Sequence, residues 1–187
     1  TLDGTLFPYT TLFRSEEKLR ILKMTIEKLT AAGYTFIGMD HFAKPEDELS
    51  IALREKKLYR NFQGYSTNAG TDLYGFGVSS ISQLDRIYAQ NMKTEKEYYN
   101  LLNAETLPIT KGYYLSDDDL LRRYVITKIM CDFELNFADV ENKFNIVFNK
   151  YFENALKGLD GMAEDNLLSI SSNKITITDM GRLLIRN

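Results

Sequence analysis

The chain has 187 residues, 44% of them apolar and 26% charged, a balance that packs a core large enough for one domain or two small ones. Its net charge of −3 argues against a main task of neutralising phosphates, so no nucleic-acid partner is expected. No run approaches the ~18 apolar residues of a membrane span, and the single cysteine, Cys131, excludes both an internal disulfide framework and a thiolate cluster built from this chain alone.

The first fifteen residues, TLDGTLFPYTTLFRS, support two readings. L-D-G-T-L-F resembles the D-x-D-G-T-L loop of the haloacid dehalogenase phosphatases, whose first Asp is the nucleophile. Thr1 stands at that position here, so the attacking carboxylate is missing. Alternatively, Thr5 to Ser15 is what a common short-read sequencing adapter encodes in frame, and eleven consecutive matches favour that origin. Residues 1–15 are therefore expected to be non-native and without function.

From Glu16, EEKLRILKMTIEKLTAA places Leu19, Leu22, Ile26 and Leu29 at helical spacing, and Gly33 stops the helix. YTFIGMD then reads as a buried strand ending at Asp40. A helix, a tight turn and a strand make half of a βαβ unit, which implies a parallel sheet upstream. KPEDELSIALREKKL predicts a short helix with Pro45 near its first turn. YRNFQGYSTNAGTDLYGFGVSSIS, rich in Gly, Asn, Ser and Tyr, predicts a surface or site-forming loop. EKEYYNLLNA predicts a helix and LPITKGYYLS an extended connector.

The texture changes at Ser116. S-D-D-D offers an N-cap followed by acids in the first turn, and LLRRYVITKIMCDF continues as an amphipathic helix. Two more helical stretches follow, around FADVENKF and FNKYFENALKGL. NLLSISSNKITITDMGRLLIRN then reads as two strands on either side of a turn at 171–174 and the start of a helix. Three helices and a two-stranded wing resemble a winged-helix module. Residues 117–187 hold 12 acidic against 9 basic residues, however, and FADVENKF is not basic. DNA-reading modules are basic on the helix that faces the groove, so a packing or lid role is expected instead.

Three smaller signals have plain structural readings. Gly75 and Gly77 in Y-G-F-G lack the third glycine and following helix of a nucleotide fingerprint, but they do permit close backbone approach. Asp40 and His41 fall at the end of a predicted strand, where β/α architectures place chemistry; a lone His more often serves structure. Cys131, among Ile, Met and Phe, reads as a buried inert thiol.

F-I-G-M-D-H-F-A-K-P-E-D-E-L (36–49), R-N-F-Q-G-Y (60–65), G-V-S-S-I-S (77–82), Y-A-Q-N (88–91) and T-D-M-G-R-L-L-I-R-N (178–187) closely resemble the oxygen-independent coproporphyrinogen III oxidase family. G-M-D-H-F-A favours the oxidases over their haem-chaperone-like relatives. The resemblance runs from about Glu16 to Asn187 and implies an α/β plus α fold. In that fold, residues 16–115 form the last β/α part of an incomplete radical-SAM barrel. Residues 116–187 form a mostly helical, winged-helix-like C-terminal domain that the family continues with further helix.

A cytoplasmic setting is the default for this composition and a monomer is expected; the resemblance also implies an enzyme of haem biosynthesis. It would oxidatively decarboxylate two propionates of coproporphyrinogen III to vinyl groups, by radical chemistry with two S-adenosylmethionine molecules and a 4Fe–4S cluster. No electron donor or acceptor is named by it. The family's C-x-x-x-C-x-x-C cluster motif does not occur here, so this chain alone is expected to be an inactive C-terminal fragment. Position by position, Ile81 matches a residue that touches the second S-adenosylmethionine. Asp40, Arg60 and Gln63 are the substrate-side candidates, chosen for their chemistry and their place in the chain; no catalytic residue and no metal ligand is assigned. A winged-helix binding module without catalysis is the alternative reading.

Overall fold

The computed structural model describes residues 15–185, so the readings of residues 1–14 lie outside the described residues. Helix α1 (Ser15–Ala31) ends where Gly33 takes φ +87°, a left-handed turn that glycine adopts without strain. Strand β1 (Thr35–Gly38) follows, and β2 (His41–Ala43) pairs with it antiparallel. Asp40 therefore sits in a hairpin turn, and His41 opens the returning strand. Among the described residues β1 has no parallel neighbour; every strand pairing is antiparallel.

Helix α2 (Glu48–Arg54) begins later than Pro45 suggested. Asp47 is the N-cap, its carboxylate accepting the Leu49 N–H at 2.9 Å, and Pro45 lies outside the helix with its carbonyl accepting from Arg54. The stretch expected as a loop is in part sheet. It contains a hairpin, β3 (Tyr59–Asn61) with β4 (Gly64–Ser66), and then β5 (Ile81–Leu84). The connector is strand β7 (Ile109–Tyr114), which with β5 and β6 (Ile87–Asn91) forms a sheet ordered β5-β6-β7. All six residues of β7 are exposed, so burial leaves no alternation to betray the strand. Helix α3 (Glu95–Asn103), capped by Thr94, crosses from β6 to β7.

From Ser116 the chain runs through α4 (Asp117–Asp132), β8 (Glu134–Asn136) and α5 (Phe137–Phe144). Three short helices follow, α6 (Phe148–Tyr151), α7 (Glu153–Lys157) and α8 (Asp160–Glu164). A hairpin of β9 (Leu168–Ile170) and β10 (Lys174–Ile177) and a last helix α9 (Asp179–Leu183) complete it. β10 lies between β8 and β9. The core beneath these elements gathers Leu121, Val125, Leu135, Val140, Phe148 and Ile175. None of the helices among the described residues is long and apolar enough to cross a membrane.

A second cluster joins the first half to α4: Ile37, Ala43, Ala52, Leu58, Tyr65 and Cys131. Burial pushes the Cys131 thiol from 9.0 up to about 12. Tyr65, whose hydroxyl donates to the Met130 carbonyl at 3.1 Å, is likewise raised by burial from 10.0 to about 12. Both are acids whose neutral form the fold favours. Their contribution to stability is complete below the unfolded values and is lost as pH rises through the window from 9 to 12. Urea unfolding at stepped pH should show stability falling across that window, with a shallower fall in Tyr65→Phe. A flat profile would contradict the burial of these two groups.

Arg182 ties α9 back to β1. Its guanidinium stacks on Phe133 at 4.1 Å and on Phe36 at 5.6 Å, and donates to the Phe36 carbonyl at 3.3 Å.

Candidate active site

Helix α4 is fixed at its start by a capping box. The Ser116 hydroxyl accepts the Asp119 N–H, and the Asp119 carboxylate accepts the Ser116 N–H. The Ser116 hydroxyl, which also donates to the Asp119 carboxylate at 2.7 Å, and then the Ser116 N–H hold that carboxyl below its usual range. One stripe of the helix, Asp119, Arg122, Arg123, Ile126, Thr127 and Met130, has the i, i+3, i+4, i+7 spacing of a single face, and it lines a cavity of about 780 Å3. The opposite wall is β3 with Phe62, and Tyr88 of β6 beside Tyr113 of β7.

Polar clamps keep the two walls together. Arg86, in the β5–β6 turn, pairs with Asp117 at 2.8 Å, and Arg123 donates to the Asp85 carbonyl at 3.1 Å. At the far end of α4 the Tyr65–Met130 hydrogen bond holds the β3–β4 hairpin against the helix.

Arg60 faces this cavity from β3. Its Nε is buried without a hydrogen-bond partner, and its guanidinium lies over the Tyr65 ring at 5.9 Å. Gln63 follows an Asx turn in which the Asn61 side chain accepts its N–H at 2.9 Å. It lines a neighbouring cavity of about 470 Å3 that shares Tyr59, Asn61 and Gln83 with the first. The shared wall is braced by Gln83, nearly buried, donating to the Tyr59 hydroxyl at 2.9 Å.

Asp40 and Ile81 line neither cavity. The Asp40 carboxylate projects to solvent on its turn, 2.9 Å from His41 Nδ1, but the approach is not aligned as a hydrogen bond. His41 instead packs: its ring meets Tyr65 edge-on at 5.2 Å and fills the space beside Gly64, where a Cβ would lie 2.5 Å from Nε2. Ile81 opens β5 opposite Gln90, half-buried, with Gly75 so close that a Cβ there would lie 2.8 Å from the Ile81 carbonyl carbon. Asn91 holds the preceding loop, its side-chain amide donating to the carbonyls of Gly75 and Gly77 and to Ser80. Arg122, Arg123, Tyr88 and Tyr113 are absent from the sequence-derived site. Tyr88 opens the Y-A-Q-N motif, and the two arginines form an R-R pair a turn inside the Ser116 cap.

Three comparisons with known proteins bear on this arrangement. The model of the HemN C-terminal domain matches residues 115–184. An oxygen-independent coproporphyrinogen III oxidase of Synechocystis is 51% identical over 184 residues, which is 96% of this chain and 40% of that protein. The chain is similar to the C-terminal part of the oxygen-independent coproporphyrinogen III oxidases. The Escherichia coli protein of that name is 47% identical over 172 residues, 92% of this chain and 38% of the relative. The solved structure of the Escherichia coli coproporphyrinogen III oxidase, a radical SAM enzyme, superposes with a TM-score of 0.87 at 45% identity, over 93% of this chain and 40% of the other. The chain thus spans about 40% of the length of these relatives.

The described residues do not fit an iron–sulfur cluster. Cluster ligands are thiolates, whereas Cys131 is buried and held as a thiol by its raised pKa. No group of three His, Cys, Asp or Glu side chains among the described residues is placed to hold a metal ion. Nor does Ile81 by itself make a pocket for S-adenosylmethionine.

Proposed function

We propose that this chain supplies the C-terminal part of an anaerobic, cytoplasmic enzyme of haem formation. That enzyme converts two propionates of coproporphyrinogen III to vinyl groups and yields protoporphyrinogen IX. The 51% identity to the Synechocystis oxidase, running through 96% of the chain, is the observation that carries the reading. The hydrogen abstraction that opens such a decarboxylation is the chemistry of S-adenosylmethionine and a 4Fe–4S cluster, with ligands outside the described residues. What these residues contribute is walls, charge and shape.

In this reading residues 16–115 are the last β/α part of an incomplete barrel and residues 116–187 a winged-helix-like domain. The order helix, strand, helix, short helices and β-hairpin, with β10 beside β8, supports the second assignment. Its use as a DNA reader has no observation in its favour, since α5 carries Asp139 and Glu141 against Lys143. The enzyme acts as a monomer. Arg60 receives a propionate and Gln63 a carboxylate or a pyrrole N–H. Asp40, an exposed carboxylate, can only accept, so a pyrrole N–H suits it. Ile81 lies against the second S-adenosylmethionine.

The test is a chimera in which residues 16–187 replace the matching part of the Escherichia coli oxidase. In it, Ile81→Asp should lower turnover strongly, because an ionised carboxylate set against an apolar contact is penalised more heavily than an unpaired amide or hydroxyl, unless it stays hydrated. Ile81→Leu should not. If Ile81→Asp leaves both the melting temperature and product formation unchanged, Ile81 is not a cofactor contact.

A further inference from the structure

The cavity between β3, β6–β7 and α4 carries positive charge that the described residues do not neutralise. Three guanidinium groups, from Arg60, Arg122 and Arg123, line it against the one carboxylate of Asp119. Arg122 is paired, its Nε donating to Asp118 at 2.7 Å. Asp119 is engaged as well, accepting from the Ser116 N–H and hydroxyl and from the Tyr113 hydroxyl. Arg123 reaches only neutral acceptors with Nη1, the Asp85 carbonyl at 3.1 Å and the Tyr88 hydroxyl at 3.4 Å.

Arg60 has no carboxylate and no hydrogen-bond acceptor among the described residues, although its Nε is enclosed. Its one contact of this kind is the face of Tyr65. A guanidinium offers five donors in a fixed fork, and here none of them finds an acceptor among the described residues. Nor does the charge follow from a basic chain, because the whole sequence is net −3. Between the cations the wall is apolar and aromatic, with Ile126 and Met130 on α4 facing Tyr59 and Tyr88.

We infer that this cavity binds a polycarboxylate with an apolar, flat body: Arg60 takes one carboxylate, Arg123 takes a second with the free edge of its guanidinium, and the tyrosine wall takes the body. The inference deepens the proposed function, which supplies the ligand: a tetrapyrrole with propionates around its rim. It adds Arg123, on a helix the sequence reading left out of the site, as the second anchor. Two fixed cations select for the spacing of carboxylates, which a single arginine cannot do.

The probe is coproporphyrin III, the fluorescent oxidised macrocycle, titrated into the purified 187-residue chain beside its tetramethyl ester and inorganic phosphate. The acid should bind saturably and weaken as salt rises. The ester should bind at least about tenfold more weakly, and phosphate alone should compete poorly because it spans only one arginine. Arg60→Gln and Arg123→Gln should each weaken the acid about tenfold without changing the ester, as expected for lost charge-assisted hydrogen bonds. Arg20→Gln, on the exposed face of α1, should change neither.

Equal binding of acid and ester overturns the inference, as does wild-type affinity in both arginine variants or the absence of saturable binding by folded chain. If Arg60→Gln proves unfolded by circular dichroism, Arg123→Gln and the ester still decide. The outcome separates from that of the proposed function. A chimera that turns over with unchanged KM in both arginine variants sinks the cavity and spares the function. Arginine-dependent binding beside an inactive, cluster-loaded chimera does the reverse.

Discussion

Phe148→Ala is expected to destabilise the fold by about 3–5 kcal/mol, the range for emptying a buried aromatic site. Phe148 is 2% exposed and lies at the centre of the core under α4, β8 and the β9–β10 hairpin. Its ring stacks on Phe137 with centroids 4.1 Å apart and planes 12° from parallel, and tilts against Phe152 at 4.8 Å. Removal therefore strands two other rings beside a void. A domain of this size holds only about 5–15 kcal/mol of net stability, so the loss is a large share of the whole. Urea unfolding would read it directly. The neighbouring Val147→Ala, at a residue 63% exposed, should shift the midpoint little. Comparable shifts for the two variants would mean that the core is not centred where the structure puts it.

Gly181→Ala should be nearly as damaging, for the opposite reason. A Cβ at Gly181 would lie 1.9 Å from the Leu167 carbonyl oxygen and 2.9 Å from Ile177 Cγ2. The first neighbour is backbone and is already committed, accepting from the Thr178 N–H at 3.1 Å and its hydroxyl at 3.0 Å. It cannot step aside without breaking the N-cap of α9. The added methyl should lift α9 from the hairpin and pull Arg182 from its stack on Phe133 and Phe36. Overpacking of this kind costs about 1–3 kcal/mol, and more where backbone must move. Gly161→Ala is the matched control: it is helical, it has nothing within 4 Å of the added Cβ, and it should be neutral or slightly stabilising. Thermal melts of the two variants side by side would test this, and equal melting temperatures would refute the close packing of α9.

Helices were legible in this sequence where their ends carry chemistry. Ser116 with its three acids and Gly33 after α1 act as their residue types suggest, whereas the sequence reading does not include the Thr94 cap of α3. The strands between 59 and 114 were harder to see, because they are three to six residues long and several lack a buried face. Pro45 misled because Asp47, two residues on, is the stronger cap. Asp40 stood at a predicted strand end, but the strand turns back at once through Met39, whose φ is +55°. Sequence pattern alone does not reveal a two-residue reversal of that kind.

Part of the candidate cavity lining was visible in the sequence. Arg60 stood out within R-N-F-Q-G-Y, whereas Arg122 and Arg123 look in sequence like the solvated face of an amphipathic helix. Only the packing of α4 against β3 and the β6–β7 sheet turns that face into a wall. The family resemblance was carried by short motifs scattered along the chain, several of them at turns and tight contacts such as G-M-D-H and Q-G-Y. Gly38 and Gly64 each admit no Cβ there, pressed by Tyr65 and His41. These motifs are packing constraints as much as chemical ones.

The most direct measurement is product formation by the chimera that joins the upstream part of the Escherichia coli oxidase to residues 16–187. Loaded with its cluster and assayed anaerobically with S-adenosylmethionine, a reductant, an electron acceptor and coproporphyrinogen III, it should release carbon dioxide. Mass spectrometry should find protoporphyrinogen IX with both propionates converted to vinyl groups. A chimera that is folded and cluster-loaded, yet returns coproporphyrinogen III unchanged while the parent enzyme turns over, would contradict the account.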